Sequence, residues 1–95
     1  MFIILLKFSS RKSDAPQFME AHKQWLKCGF AEGAFLLAGS LEPGLGGGIL
    51  AQSGSREDIE QRVQQDPFVA EDIVRAEIIE LDPGMADERL QFLVS

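Results

Sequence analysis

Phe2-Ile3-Ile4-Leu5-Leu6-Lys7-Phe8 opens the chain with an apolar run rich in β-branched residues, which predicts a strand. An antiparallel strand with one wet face alternates apolar and polar side chains. This run does not, because its apolar groups point to both sides. Ala34-Phe35-Leu36-Leu37-Ala38 repeats the pattern, and Ile49-Leu50-Ala51 shows it in short form. Only the segment from Arg75 to Leu81 mixes in charges, at Glu77 and Glu80. A sheet built from these strands has two apolar faces, and both need cover.

The segments between the strands supply cover for one face. Asp14-Ala15-Pro16-Gln17 reads as a helix start, with Asp14 as N-cap, Pro16 in the first turn and Gln17 completing a capping box. Phe18, His22, Trp25, Leu26 and Gly29 then recur at spacings of three and four, which places them on one helical face reaching to about Phe30. The cluster Glu42–Gly48 is a turn between the second strand, Ala34–Ser40, and a third around Gly48–Gln52. Ser55 with Asp58 predicts a second helix that turns Ile59 and Val63 inward. Asp66-Pro67-Phe68 interrupts it, with Pro67 placed to open a new short turn. The order is βαββαβ, the ferredoxin-like α+β arrangement in which two helices cover one face of a four-stranded antiparallel sheet. Residues 1–84 form the domain. Residues 85–95 form an apolar tail, with Leu90, Phe92, Leu93 and Val94, expected to pack on the domain or on a partner copy.

The other face of the sheet remains. Each large side chain left in water there forgoes about 1.5–3 kcal/mol, and the tail is too short to roof four strands. A second copy presenting the same face is the simplest cover, so a homodimer packed sheet to sheet is expected. A chain of 95 residues is one small domain, for which such added burial matters.

Charge narrows the partners. Fifteen acidic residues against nine basic give a net charge of −6, and apart from Arg11–Lys12 the basic residues are scattered. Nucleic acids and anionic membrane surfaces are disfavoured, since both require a basic face. The single cysteine, Cys28, forms no internal disulfide, and the apolar N-terminal run is too short for a signal peptide core or a membrane span. Cytoplasm is the expected compartment.

Few residues could carry chemistry. His22 is the one histidine, and it lies between Phe18 and Trp25 on the apolar helix face. It is either a half-buried structural imidazole or a proton-transfer group. Asp66 is likewise either the N-cap of the turn at Pro67 or a carboxylate held to orient an imidazole. A lone histidine without a cysteine or histidine cluster argues against a metal site. Gly44–Gly48 lacks the Gly-Lys-Ser/Thr ending of a phosphate loop and leads into a strand, so it reads as a hairpin. Cys28 reads as filler, and Ser40 has no nucleophile-elbow context. No cofactor is expected.

Taken in order, FIILL at the start, His22 within AHKQWL (21–26), GAFLLAGS (33–40), Gly47-Gly48, and Asp66-Pro67-Phe68 before the closing EIIEL (77–81) form a recognisable pattern. The chain resembles the YciI-like (YCII-related) family over about residues 1–83. The resemblance implies a dimeric α+β barrel fold and a His22–Asp66 dyad in a cleft between sheet and helices. It also implies kinship with small lyases or dehydrochlorinases of hydroxylated aromatics, and more distantly with lactone isomerases and cofactor-free monooxygenases. Where the family often has proline after the glycine of the second strand, this chain has Ser40, which bears on the shape of the pocket. The tail beyond Gly84 is not part of the pattern.

On this reading the protein is a cofactor-independent enzyme of the lyase or isomerase type. Asp66 orients His22, and His22 moves a proton on a small hydroxylated aromatic, lactone or organic acid. Phe8, Trp25, Ser40 and Phe68 are the expected pocket walls. The alternative is a non-catalytic dimeric module that binds a small molecule or serves a structural role.

Overall fold

The computed structural model describes residues 1–52 and 54–94. Four strands, β1 (Phe2–Phe8), β2 (Phe35–Leu41), β3 (Gly46–Ala51) and β4 (Val74–Glu80), form one antiparallel sheet in the order β2-β3-β1-β4. Helices α1 (Ala15–Ala31) and α2 (Arg56–Gln64) and the single turn α3 (Pro67–Ala70) complete the βαββαβ order. This is the ferredoxin-like arrangement.

The register assigns every strand residue to a face. Phe2, Ile4 and Leu6 of β1 stand beside Ala51, Ile49 and Gly47 of β3 and beside Glu80, Ile78 and Ala76 of β4. Phe2, Ile4 and Leu6 are buried, so this is the face that packs on the helices. There they meet Trp25 and Gly29 of α1, Ile59 and Val63 of α2, and Phe68 of α3. Strand β2 joins with a bulge between Phe35 and Leu37, which breaks the alternation. Phe35, Ala38 and Ser40 thus share the helix-covered face, while Leu37 and Leu41 fall on the opposite one.

That opposite face carries Ile3, Leu5, Leu37, Leu41, Leu50 and Ile79, and among the described residues the helices pack on the other side. Leu37 and Ile79 are 53% and 40% exposed. The tail does not roof it. Its 3₁₀ turn (Glu88–Leu93) is capped by Asp87, whose side chain accepts from the Arg89 N–H at 2.9 Å. The Arg89 guanidinium, and then its backbone N–H, hold the Asp87 carboxyl below its ordinary value. Met85, Leu90 and Phe92 are exposed, and Ser95 lies outside the described residues. Among the described residues no helix is long and apolar enough to cross a membrane.

Two local expectations need correction. Asp14 does not cap α1. A 3₁₀ turn at Lys12–Asp14 runs straight into the helix and leaves Asp14 with helical dihedrals, φ −86° and ψ −6°. A side chain caps from an extended backbone, so this carboxylate turns instead to the Arg11 Nε at 3.2 Å. The glycine cluster is also less of a turn than expected. The reversal is confined to Glu42–Leu45, and Gly46, Gly47 and Gly48 are paired strand residues facing Lys7, Leu6 and Leu5.

Candidate active site

A cleft opens between helix α1 and strands β1, β2 and β3. Gly29 lets its C-terminal half lie close on Phe35, while Met19, His22, Lys23 and Leu26 stand over the far ends of β1 and β2. The cleft holds about 310 Å³, near the lower end of the ~300–1,000 Å³ range of small-molecule sites. A single-ring molecule fits that volume. Its wall is mostly apolar, with Leu6, Phe8, Met19, Leu26, Phe68 and Val74 around the polar groups of His22, Lys23 and Ser40.

His22 and Asp66 meet at this cleft although 44 residues separate them, with Nδ1 2.7 Å from Oδ1. Their positions have separate local causes. His22 sits on the α1 stripe that packs on the sheet, and 14% of its side chain is accessible. Asp66 precedes Pro67, which confines it to extended backbone (φ −66°, ψ 124°), and from there its side chain caps α3 by accepting from the Phe68 N–H at 3.0 Å. The Phe68 ring then lies flat on the imidazole, centroids 4.1 Å apart and planes 6° from parallel. Hydrogen bond and stack together leave the imidazole little freedom to rotate.

Asp66 is wholly buried, and its Oδ2 has no hydrogen-bond donor among the described residues. A cap requires one acceptor, which asparagine or serine supplies without burying a charge. An unsatisfied buried polar atom costs about 1–3 kcal/mol, so capping alone does not account for aspartate here. Because Oδ1 already accepts from Phe68, the hydrogen it shares with His22 belongs on Nδ1. The Nε2 lone pair is then open, and Nε2 has no partner among the described residues. An imidazole with a fixed tautomer and a buried carboxylate behind it can accept and return a proton. No three His, Cys, Asp or Glu side chains among the described residues converge on a site that could hold a metal ion.

No protein family model matches the sequence, and no curated protein matches it. A solved structure does. It is the 5-chloro-2-hydroxyhydroquinone dehydrochlorinase TftG from Burkholderia phenoliruptrix AC1100, in complex with 2,5-dihydroxybenzoquinone. The likeness has a TM-score of 0.72 at 17% identity and covers 85% of this chain and 92% of that one. At this identity it is a likeness of fold. It agrees with the ferredoxin-like α+β fold described above.

Of the other residues singled out in the sequence, Phe8, Ser40 and Phe68 line the cleft. Trp25 lies outside its wall. The indole N–H donates to the Arg62 carbonyl at 2.9 Å and its ring meets Phe35 edge-on at 5.2 Å, so Trp25 holds α1 to α2 and β2. Met19, Lys23 and the strand glycines were not anticipated. Met19 could have been, since it lies three residues before His22 and seven before Leu26 on the same stripe. The glycines carry no side-chain signal, and their place in the wall depends on the β1–β3 register.

Proposed function

We propose that the protein is a YciI-like, cofactor-independent enzyme in which the His22–Asp66 pair moves a proton on a small molecule held in the cleft. The observation that carries this reading is the 2.7 Å contact between His22 Nδ1 and a fully buried carboxylate whose second oxygen has no hydrogen-bond donor among the described residues. Such a pairing is hard to explain as structure alone, and it leaves Nε2 for whatever enters. The substrate class that fits is a small hydroxylated aromatic, with lactones and organic acids as related possibilities. The walls are apolar, the volume suits one ring, and the fold is shared with a dehydrochlorinase of a hydroxyhydroquinone. His22 takes a hydroxyl or ring-carbon proton through Nε2. Asp66 stabilises the imidazolium formed, and the proton returns as the leaving group departs or the double bond shifts. We also propose that the working form is a homodimer joined through the open sheet face.

The test is turnover of chlorinated hydroxyhydroquinones, read as chloride release, alongside lactones read by ultraviolet absorbance. His22→Ala and Asp66→Asn are expected to lower kcat by about 10²–10⁴ while leaving the circular dichroism spectrum unchanged. ¹⁵N shifts of the His22 ring are expected to show the proton on Nδ1 in the wild type and a mixed tautomer in Asp66→Asn. Saturable binding without product in the wild type would favour the binding-module alternative. Identical ring tautomers in both proteins would reduce Asp66 to a helix cap.

A further inference from the structure

The cleft wall differs from the rest of the protein in charge. The chain carries a net −6, with 15 acidic residues against 9 basic, yet no acidic side chain lines the cleft. Its polar groups are His22, Ser40 and Lys23, together with strand backbone. Asp66 stands behind the imidazole and is already engaged with it. Lys23 has no hydrogen bond or ion pair to any described residue. Most of the other cations have partners. Arg11, Arg56, Arg62 and Arg89 are paired with carboxylates, and Lys12 donates to the Gly44 carbonyl. Lys23 is exposed where it lines the cleft, so water solvates its ammonium group and leaves it free to meet an anion that enters. The attraction is that of an exposed pair, modest in size and weakened by salt.

The floor of the cleft shows a second selection. Three consecutive strand glycines line it, and they are glycine for different reasons. Gly46 has φ +136°, and a Cβ there would fall 1.9 Å from the Leu6 carbonyl oxygen, so the backbone requires glycine. Gly48 stands beside Leu5 and Gly39, on the open face of the sheet. Gly47 lies between Leu6 and Ser40 on the covered face, in a conformation any residue adopts, and a Cβ there would meet only the Gly39 carbonyl oxygen at an ordinary 3.5 Å. Neither backbone nor packing requires glycine at position 47, and a side chain would strengthen the strand. What a side chain would occupy is the cleft.

We propose that the cleft selects flat, anionic rings, with Gly47 providing a side-chain-free floor and Lys23 the countercharge. This rests on the cleft being the ligand site, and it assigns the specificity of that site to two residues outside the His22–Asp66 pair. A planar aromatic carboxylate or phenolate lies on the Gly47 backbone with its charge toward Lys23. A puckered ring of the same size stands too thick, and a neutral ring forgoes the ion pair.

Three probes of matched size separate charge from shape: benzoate, benzamide and cyclohexanecarboxylate. Amide NMR titrations of the wild-type protein are expected to map benzoate to Gly47 and Lys23. Its affinity should exceed that of either other probe roughly threefold to tenfold. Lys23→Gln should abolish the preference for benzoate over benzamide while keeping the preference for the flat ring. Gly47→Val should weaken all three with the strand amides otherwise unmoved, and Gly47→Ala should lie between. Equal binding of benzoate and benzamide, an unchanged ratio in Lys23→Gln, undiminished binding in Gly47→Val, or no binding of any probe would each overturn the proposal. Its failure is distinguishable from that of the catalytic reading. Turnover with no response to Lys23→Gln removes the selectivity alone, whereas ligand selectivity without any turnover removes the chemistry alone.

Discussion

Gly29 lies on α1 where the helix crosses β2, and a Cβ built there would stand 2.2 Å from two ring carbons of Phe35. Two effects oppose each other in Gly29→Ala. Alanine is the better helix former by about 1 kcal/mol, whereas overpacking a closed core costs about 1–3 kcal/mol. Phe35 is only 4% exposed and is boxed in by the Trp25 and Phe30 rings, so it has little room to swing aside. The clash should win. Urea denaturation is expected to show Gly29→Ala less stable by up to about 2 kcal/mol, and a gain in stability would mean that α1 rides higher on the sheet. The same residue illustrates what the sequence reveals at this scale. Helical spacing alone puts Gly29 on the face with His22 and Trp25, but its reason for being glycine appears only when β2 is in place. His22 and Asp66 are similar: each was singled out by its local setting, yet their contact depends on how α1 docks against α3. Trp25 shows the limit, because its stripe position did not distinguish a ligand wall from a strut between α1 and α2.

At the scale of elements, two helix starts that look alike in sequence behave differently. Asp14 with Gln17 and Ser55 with Asp58 both carry a capping residue and its partner three positions on. At Ser55 the backbone is extended (φ −82°, ψ 169°) and the box closes, with Ser55 Oγ accepting from the Asp58 N–H and Asp58 Oδ2 accepting from the Ser55 N–H, each at 3.2 Å. At Asp14 the preceding 3₁₀ turn has already made the backbone helical, and no cap forms. Ser55→Ala is therefore expected to lower unfolding free energy by about 0.5–2 kcal/mol, and Asp14→Ala by under ~0.5 kcal/mol because it loses only an exposed pair with Arg11. Chemical denaturation of the two variants side by side checks this, and equal losses would contradict the geometry. The strands were legible for a simpler reason. Runs such as 2–8 and 75–81 carry enough side chain to announce themselves, and β1 begins and ends where its pattern does. The start of β3 was hidden because its first three residues are glycine, and only pairing with Lys7, Leu6 and Leu5 makes them a strand.

For the molecule as a whole, the apolar character of both strand faces led to the expectation of a partner, and the register now says which residues it would meet. Ile3, Leu5, Leu37, Leu41, Leu50 and Ile79 share a face that no helix among the described residues crosses, and the exposed Leu90 and Phe92 of the tail offer a further apolar contact. If a second copy covers this face, folding and association are linked, and the melting temperature should rise with protein concentration. A substitution that breaks the face without unfolding the protomer makes the test sharp. Leu5 stands directly across from Glu77 on β4 and from Gly48 on β3, so Leu5→Lys introduces a charge with an opposite charge already beside it. Buried between two sheets, the same lysine would carry a large desolvation cost that one cross-strand pair does not repay. Sedimentation of the wild type at micromolar concentration is expected to give a dimer whose melting temperature depends on concentration. Leu5→Lys is expected to give a folded monomer whose melting temperature does not. A wild-type monomer, or a Leu5→Lys dimer of unchanged stability, would mean that something other than this face answers for its apolar side chains.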